Sequence, residues 1–352
     1  MRPAVSRRAA AVVAHSYDDF PVRAGDVDLR ADGTPPLRST VSALQRRQPG
    51  PAVTLGYGDI AGEWSLRSVL ADLFGVTPGE VVVTGGASEA LHLALTCITD
   101  PGGSVLLPTP AFPGYTQLAE LLAVTPTYYP VPGVPPVRDA TTPMVICAPH
   151  NPTGIVVPRR PAGPAGAGTG TAWTVWDVSH IGLTAPERAW VRSVVTATSV
   201  VVFSLSKLLR LPGVRIGCLI TQDRALHDAV IRVKTHLSMS TGRLGQHLAA
   251  EILTDPDTSS QLAERHARLT HDRSTLTATI AASRTFTVVP ATGGSHLLLH
   301  TRDGRDAAEA LRKAGIVGIP GVVFGAGHDA VRICVAQPAD VIDHARERLD
   351  IL

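Results

Sequence analysis

The chain has little lysine and little imbalance of charge. Only Lys207, Lys234 and Lys313 are lysines among its 32 lysine and arginine residues, and the formal net charge is +2 at pH 7. A nearly balanced charge argues against a nucleic-acid-binding surface and against a polybasic patch that would attract an anionic membrane. We therefore predict neither nucleic acid nor a membrane as a partner.

Long apolar runs and closely spaced cysteines are also lacking. No apolar stretch approaches the roughly 18 residues of a membrane helix, and the run near the N-terminus is shorter than the roughly seven residues of a signal-peptide core. The four cysteines lie far apart in apolar surroundings, without C-x-x-C spacing: Cys97, Cys147, Cys218 and Cys334. The pattern predicts buried free thiols, no metal site and a soluble cytoplasmic protein.

What the sequence does contain is an alternation of short apolar runs with helical patterns, which is typical of an α/β domain. The valine- and isoleucine-rich runs predict strands of a parallel or mixed sheet covered on both faces: "EVVVT", "SVLLP", "MVICAP", "WTVWD", "SVVVFS" and "RIGCLIT". We predict a large domain over residues 46–250. Residues 251–352 are expected to form an interdomain helix and a small α+β domain, which the N-terminal arm, residues 1–45, joins in part.

One segment departs from the alternation. Prolines and glycines fill residues 155–172, where a crossover helix is expected between two strands. These residues disfavour a helix, so we predict an irregular and mobile connection there.

Lys207 lies just after the apolar run "SVVVFS". A lysine at the end of a buried strand loses hydration, which lowers its pKa, and a neutral amine can attack an aldehyde. The alternative is a surface lysine at the start of a helix. Ser204, Ser206 and Arg215 lie close by in the sequence, and their side chains suit a phosphate carried by the same ligand. Pyridoxal 5′-phosphate (PLP) carries both an aldehyde and a phosphate.

A second phosphate-binding element is predicted in "VVVTGGASEALHLAL", a strand, a glycine turn and a helix that begins near Ser88. Backbone N–H groups at a helix N-terminus bind phosphate, and Gly85 and Gly86 allow a close approach. The alternative is an ordinary strand–helix turn with Ser88 as N-cap.

Three more residues at strand ends suit the ring of PLP. Asp177 ends "WTVWD", where a carboxylate could keep the pyridine nitrogen protonated, although it could also cap a helix. Asn151 in "APHNPTG" could donate to the 3′-oxygen, or belong to a simple turn. Phe112 in "PTPAFPGY" could stack on the ring, or pack in the core. Several strand ends that carry such groups fit the rule that ligand sites in α/β proteins lie beyond the carboxyl ends of the strands.

These motifs together resemble the class I/II aminotransferase family of fold-type I PLP enzymes. The resemblance runs from about Asp28 to the C-terminus, through "GYGDIAGEWSLR", "GGASEAL", "PTPAFPGY", "APHNPTG", "WD", "SLSKLLRLPGVRIG", "GIPGVVFG" and "VRICVA". It implies a large domain with a mostly parallel seven-stranded sheet covered by helices, plus a small α+β domain. It also implies PLP as cofactor and an amino acid as small-molecule substrate.

The resemblance implies a role for each matching residue. Lys207 forms the Schiff base with PLP and moves the proton at the substrate α-carbon. Asp177 pairs with the pyridine nitrogen, Asn151 binds the 3′-oxygen and Phe112 stacks on the ring. The phosphate is held by Gly86, Ala87, Ser88, Ser204 and Arg215.

Further residues are assigned to the substrate and to a second subunit. Arg332 matches the arginine that binds the substrate α-carboxylate, although an arginine at a strand edge is the simpler interpretation without the family pattern. His296 and Gly33 are also assigned to the substrate site. Tyr57 reaches the phosphate of the neighbouring subunit, which implies a homodimer.

The sequence departs from the family after Asp177. The family's "DE-x-Y" is "DVSH" here, so Val178 replaces the acid and His180 the tyrosine. Ser179 or His180 is then expected to bind the 3′-oxygen, and His180 is expected to change the acid–base balance. His150 and His296 extend the set to a histidine-rich pocket, unless two of the three histidines only line its wall.

The departures leave the reaction type open. We predict an aminotransferase of specialised, natural-product metabolism. The alternative is a PLP-dependent lyase, decarboxylase, cyclase or oxidase on the same fold, which the "DVSH" stretch motivates. A non-catalytic PLP-binding regulator is the remote alternative, because the balanced charge indicates no DNA-binding segment.

Overall fold

The computed structural model describes residues 6–14, 16–46, 56–133, 141–156 and 172–352. The helices in these ranges are α1 (Arg7–Ala11), α2 (Arg38–Arg46), α3 (Trp64–Phe74), α4 (Ala87–Ile98), α5 (Gly114–Leu122), α6 (Ala185–Val194), α7 (Leu205–Leu208), α8 (Arg224–Leu237), α9 (Arg243–Thr254), α10 (Thr258–Ala282), α11 (Ala307–Lys313) and α12 (Ala339–Asp350).

The strands in the same ranges are β1 (Val27–Asp28), β2 (Val81–Thr84), β3 (Ser104–Thr109), β4 (Thr125–Pro130), β5 (Met144–Cys147), β6 (Thr174–Asp177), β7 (Ser199–Ser204), β8 (Gly217–Ile220), β9 (Phe286–Val288), β10 (His296–Thr301), β11 (Ile316–Val317), β12 (Ile319–Pro320) and β13 (Ala330–Cys334). The mobile connection predicted over residues 155–172 falls mostly outside the described residues.

The central feature is a sheet of seven described strands in the order β2-β8-β7-β6-β5-β3-β4. All neighbours are parallel except β8, which runs antiparallel to β2 and β7. The strands are rich in valine and are buried, because apolar clusters cover both faces of the sheet. This arrangement confirms the predicted α/β fold with a mostly parallel seven-stranded sheet.

The strand ends bring distant parts of the chain to one edge of the sheet. Cys147 at the end of β5 lies beside Asp177 at the end of β6. Because β8 is antiparallel, its first residue, Gly217, pairs with Thr84 at the end of β2 and with Ser204 at the end of β7. The residues just before β8 therefore reach the same edge as those that follow β2 and β7.

A second, smaller layer forms around the sheet β12-β13-β10-β9. Its apolar cluster is buried against α10, α11 and α12. The N-terminal arm joins this region, because Val27 in β1 pairs with Ile316 in β11. The division into residues 1–45, 46–250 and 251–352 stays a prediction. Within the described ranges, no helix is long and apolar enough to cross a membrane.

Candidate functional site

A cavity of about 620 Å³ opens at the carboxyl edge of the seven-stranded sheet. It is bounded by that edge, by α10 and by the small sheet. Most of the residues predicted for the site line it: Ala87, Ser88, Phe112, Asn151, Asp177, Ser179, His180, Ser204, Lys207, Arg215, His296 and Arg332. Residues from the whole length of the chain thus converge on one space.

Lys207 projects into this cavity from α7, the short helix that follows β7. Its Nζ lies 2.8 Å from Nε2 of His180. Protein atoms surround the amine, although the side chain of Lys207 is exposed to the cavity. Burial lowers the pKa of Lys207, and the carboxylate of Asp177 opposes that effect in part. The amine therefore spends more time neutral and nucleophilic than a surface lysine does.

Asp177 is buried at the end of β6 and is held by two donors. The hydroxyl of Tyr115 donates to Oδ2 at 2.7 Å, and the N–H of Ser179 donates to Oδ1 at 2.9 Å. Burial, together with the adjacent carboxylate, raises the pKa of Tyr115 well above its usual value, so the phenol stays a donor. Sequence reasoning missed Tyr115, although it ends the motif "PTPAFPGY" that we singled out.

The histidines cluster beside Lys207. The rings of His180 and His296 meet edge to face, with centroids 4.6 Å apart. His150 lies behind them, where its Nδ1 is 2.9 Å from the hydroxyl of Thr153. Burial lowers the pKa of His150 to about 4 and, together with nearby cations, holds the pKa values of His180 and His296 well below their usual range. All three imidazoles are therefore neutral at pH 7.

The glycine turn after β2 and the segment before β8 meet as the topology requires. Gly86 has φ +96°, a left-handed conformation that favours glycine, and it precedes the first turn of α4. Nη2 of Arg215 lies 3.4 Å from the carbonyl oxygen of Gly85. A Cβ atom at Gly86 would collide with this guanidinium. Backbone N–H groups and a cation thus share one concave corner, which suits a phosphate.

Arg332 occupies the opposite side of the cavity, on β13. Its Nη1 donates to Oδ1 of Asn151 at 3.3 Å, and Nη2 donates to the carbonyl oxygen of Arg30. The guanidinium carbon lies 4.9 Å from the ring centroid of Phe324. Nε is buried and has no hydrogen-bond partner among the described residues. Burial lowers the pKa of this arginine. A buried cation with a free donor suits a ligand carboxylate.

Gly86, which precedes the lining residue Ala87, does not itself line the cavity, and two further predicted residues lie away from it. Tyr57 is 84% exposed. Gly33 contacts the side chain of Gln337, and its neighbour Asp32 lines the cavity instead. Asp32 pairs with Arg210 at 2.7 Å and with Arg265 at 3.2 Å. Sequence reasoning missed this triad, whose members lie far apart in the chain.

The donor set fits PLP at three corners of the cavity. An amine of lowered pKa suits the aldehyde, a buried carboxylate suits the pyridine nitrogen, and the turn at Gly86 with Arg215 suits the phosphate.

Known proteins are similar to this chain in sequence. A model of the family "Aminotransferase class I and II" matches residues 24–349. The chain is 25% identical to a (5-formylfuran-3-yl)methyl phosphate transaminase of Methanocaldococcus jannaschii, over 95% of this chain and 96% of the relative. It is 29% identical to a capreomycidine synthase of Streptomyces vinaceus, over 80% of this chain and 76% of the relative.

The fold is also that of solved structures. An aspartate aminotransferase of Thermus thermophilus, with maleate, superimposes with a TM-score of 0.82 at 22% identity, over 99% of this chain and 100% of that one. An aminotransferase of Mycobacterium tuberculosis gives a TM-score of 0.80 at 23% identity, over 99% of both chains. These similarities confirm the predicted fold-type I architecture.

Proposed function

We propose an activity for this chain from one established premise: it belongs to the class I and II aminotransferase family, whose members use PLP. The predicted family, fold and cofactor are thereby confirmed. We propose that the chain transfers the α-amino group of an amino acid to a keto acid. The observation that carries this proposal is the convergence of the Lys207 amine, the Asp177 carboxylate and the first residues of α4, Ala87 and Ser88, on one cavity.

Four side chains are proposed to orient the cofactor. When bound, PLP supplies an aldehyde for covalent attachment and an electron-withdrawing ring that stabilises negative charge at the substrate α-carbon. Asp177 holds the proton at the ring nitrogen, and its two donors fix its orientation. Asn151 accepts from Arg332 through Oδ1, which leaves its NH₂ group to donate to the 3′-oxygen. Ser179 has a buried hydroxyl without a partner among the described residues, so it is a second candidate donor there. The rings of Phe112 and Tyr115 meet edge to face, and Phe112 is proposed to limit movement of the cofactor ring.

The phosphate is assigned to the corner between β2 and β8. Gly86 is the N-cap of α4, and Ala87 and Ser88 begin its first turn, where N–H groups have no partner within the helix and the helix dipole favours an anion. Arg215 supplies the positive charge and Ser204 a hydroxyl. These residues act through binding and take no part in proton transfer.

Lys207 is proposed to move the proton at the α-carbon. Because burial lowers its pKa, the free amine can accept that proton and return it. His180 holds the amine through the 2.8 Å contact and is neutral, so it can accept a proton from the ammonium form. His296 packs against His180 and fixes its ring. Catalytic roles therefore fall to Lys207, Asp177 and His180.

The substrate is bound through its α-carboxylate. Arg332 is already oriented by Asn151, Arg30 and Phe324, and its buried Nε has no hydrogen-bond partner among the described residues. His296 lines the wall beside it. A place in specialised metabolism is supported by the "DVSH" departure and by the similarity to a capreomycidine synthase.

A homodimer is part of the proposal. Tyr57 exposes most of its side chain and lies away from the cavity of its own chain, as a residue does that acts in a partner. We propose that its hydroxyl completes the phosphate site of the neighbouring subunit. Gly33 as a substrate contact and a cytoplasmic location stay predictions from the sequence.

A half-reaction tests the aminotransferase activity. The PLP-loaded enzyme is mixed with single amino acids in the absence of a keto acid, and the absorption spectrum is recorded. Conversion of the cofactor to its pyridoxamine form by at least one amino acid, reversed by a keto acid, is expected. Lys207→Ala serves as the negative control, and Lys313→Ala, which changes an exposed lysine, serves as the matched control. No conversion by any amino acid or amine donor would contradict the proposal.

A second candidate is a lyase, decarboxylase, cyclase or oxidase reaction on the same amino acid. The specific observation is the pair His180–His296, which places additional imidazole nitrogens beside Lys207. Product release in the absence of any amino acceptor would favour this candidate. A stoichiometric requirement for an acceptor would exclude it.

A further inference from the structure

The second of the three lysines is fully buried. Lys234 lies in the last turn of α8 and has no exposed surface. Its Nζ donates to the carbonyl oxygen of Met239 at 2.5 Å and to the hydroxyl of Ser238 at 3.3 Å, and it lies 3.4 Å from Oε1 of Glu89. A buried ammonium is costly unless it is paired, so this position calls for a reason.

Its ion-pair partner holds the turn that we assign to the phosphate. Glu89 lies in the first turn of α4, directly after Ser88. Its Oε2 accepts the N–H of Gly85, while Oε1 accepts the hydroxyl of Ser238 at 2.5 Å. Arg215 donates to the carbonyl oxygen of the same Gly85. Gly85 is therefore held through both its N–H and its carbonyl oxygen, and the N–H is not available to a ligand.

This arrangement creates an electrostatic conflict. The start of α4 attracts anions, and the Glu89 carboxylate occupies that positive end together with any phosphate bound there. Two anions in one helix turn repel each other strongly when water is largely excluded. Lys234 is a cation whose Nζ lies 3.4 Å from Oε1 of Glu89 and which does not line the cavity, and it neutralises that charge.

We propose that Lys234 and Glu89 are positioning residues for the cofactor phosphate: Glu89 fixes the Gly85 peptide, and Lys234 cancels the charge that would otherwise repel the phosphate. The inference rests on the proposed function, since it assigns the phosphate to this turn. It also predicts opposite effects of the two residues on phosphate binding, whereas loss of either partner of a purely structural ion pair would have the same effect. Removing the cation must weaken phosphate binding, and removing the anion must strengthen it.

The test compares PLP with pyridoxal, which has the same aldehyde and ring but no phosphate. Apoenzyme is titrated with each compound and the dissociation constants are measured by absorbance, with inorganic phosphate as a third ligand in competition. The variants are Lys234→Met, Glu89→Gln and the double variant. Glutamine keeps an acceptor for the N–H of Gly85, so Glu89→Gln changes mainly charge. Lys313→Met is the matched control, because its partner Glu309 lies on an exposed helix surface at 3.0 Å.

The expected results follow from charge alone. Lys234→Met raises the Kd of PLP about tenfold and leaves that of pyridoxal within about twofold of the wild type. Glu89→Gln lowers the Kd of inorganic phosphate about threefold, and the Kd of phosphate in the double variant lies near the wild-type value. Lys313→Met changes none of these constants.

Different failures point to different errors. Equal weakening of PLP and pyridoxal in Lys234→Met, or weaker phosphate binding in Glu89→Gln, would overturn the inference and leave the proposed function intact. Should Lys234→Met not fold, Glu89→Gln alone decides, because the predicted sign is opposite to that of structural damage. Absence of PLP binding to the wild-type protein would instead overturn the proposed function and the inference with it.

Discussion

Nζ of Lys207 lies 2.8 Å from Nε2 of His180. The two nitrogens belong to groups whose pKa values are both lowered by burial, so each holds a proton less readily than the same group does at a protein surface. A proton can pass directly from one nitrogen to the other, because they lie within hydrogen-bond distance. The contact also fixes the direction of the amine, because His180 is held in turn by the ring of His296.

His180→Phe tests this contact. The substitution keeps an aromatic ring against His296 and removes both ring nitrogens, including the Nε2 that contacts Lys207. We expect kcat to fall by about 10- to 100-fold, the scale of a lost general base, and the acid limb of the pH–rate profile to move. The control is His271→Phe on the exposed side of α10. An unchanged kcat and pH profile in His180→Phe would show that the histidine only lines the wall.

Asp177→Asn tests the pairing with the ring nitrogen. Asparagine keeps the size of the side chain but cannot hold a proton on the ring as an anion does. We expect kcat to fall by about 10²- to 10⁴-fold with the fold retained. The comparison variant is Tyr115→Phe, which removes one hydrogen bond to the same carboxylate and is expected to cost only about tenfold. Similar losses in both variants would argue for a role in packing alone.

Arg332→Lys tests recognition of the α-carboxylate. Lysine keeps the charge but loses the planar fork that binds a carboxylate through two N–H groups. We expect KM for the amino acid to rise by about 10- to 100-fold, with a smaller change in kcat. Arg305→Lys, at an exposed position, is the control. A fall in kcat with KM unchanged would place the arginine outside the substrate site.

The buried histidines predict a loss of stability in acid. The folded-state pKa of His150 is about 4, below the ordinary value of 6.5, so between these pH values the unfolded chain binds more protons. The stability contributed by this group is present above pH 6.5 and is lost as the pH falls toward 4. For His150 alone the loss is about 3 kcal/mol.

Unfolding in denaturant at several pH values measures this effect. His150→Asn is expected to flatten the dependence of the unfolding free energy on pH between 6.5 and 4, whereas His271→Asn keeps the wild-type slope. Equal slopes in the wild type and His150→Asn would contradict the burial of a neutral imidazole at this position.

Hybrid dimers test the role of Tyr57. One inactive variant, Lys207→Ala, is mixed with a second, Tyr57→Ala, after dissociation and reassociation of the subunits. In a hybrid, one site carries both substitutions and the other carries neither, so about a quarter of the wild-type sites are restored in an equal mixture. Recovery of activity is expected. Absence of recovery, with hybrid formation verified by mass, would argue that Tyr57 serves no partner.

Local patterns in the sequence were sufficient for the fold class and for the residues at strand ends. The buried strands are short valine-rich runs, and "WTVWD" and "SVVVFS" became β6 and β7 as predicted. The positions of Asp177, Lys207 and Gly86 follow from such runs, because each lies at or just after a strand end. The connection at residues 155–172 was the exception to the alternation and lies mostly outside the described residues.

Contacts between distant segments were not predictable in this way. The hydrogen bond of Tyr115 to Asp177 spans 62 positions, and that of Arg332 to Asn151 spans 181. Neither separation has a period or a composition that marks it in the sequence. Nothing in the sequence marks Lys234 and Glu89 as a buried pair either, because a lysine in an amphipathic helix is usually exposed.

The sequence by itself determined that an amine, a carboxylate and a glycine turn follow buried strands, since strands and their ends are encoded by neighbouring residues. Only the tertiary structure decided which of these groups meet. The antiparallel direction of β8 carries Arg215 back to the turn after β2, and the register of β5 with β6 sets Asp177 beside Cys147. The packing of α8 against α4 buries Lys234 against Glu89. Electrostatic interactions depend on distance and burial, which are properties of the folded chain.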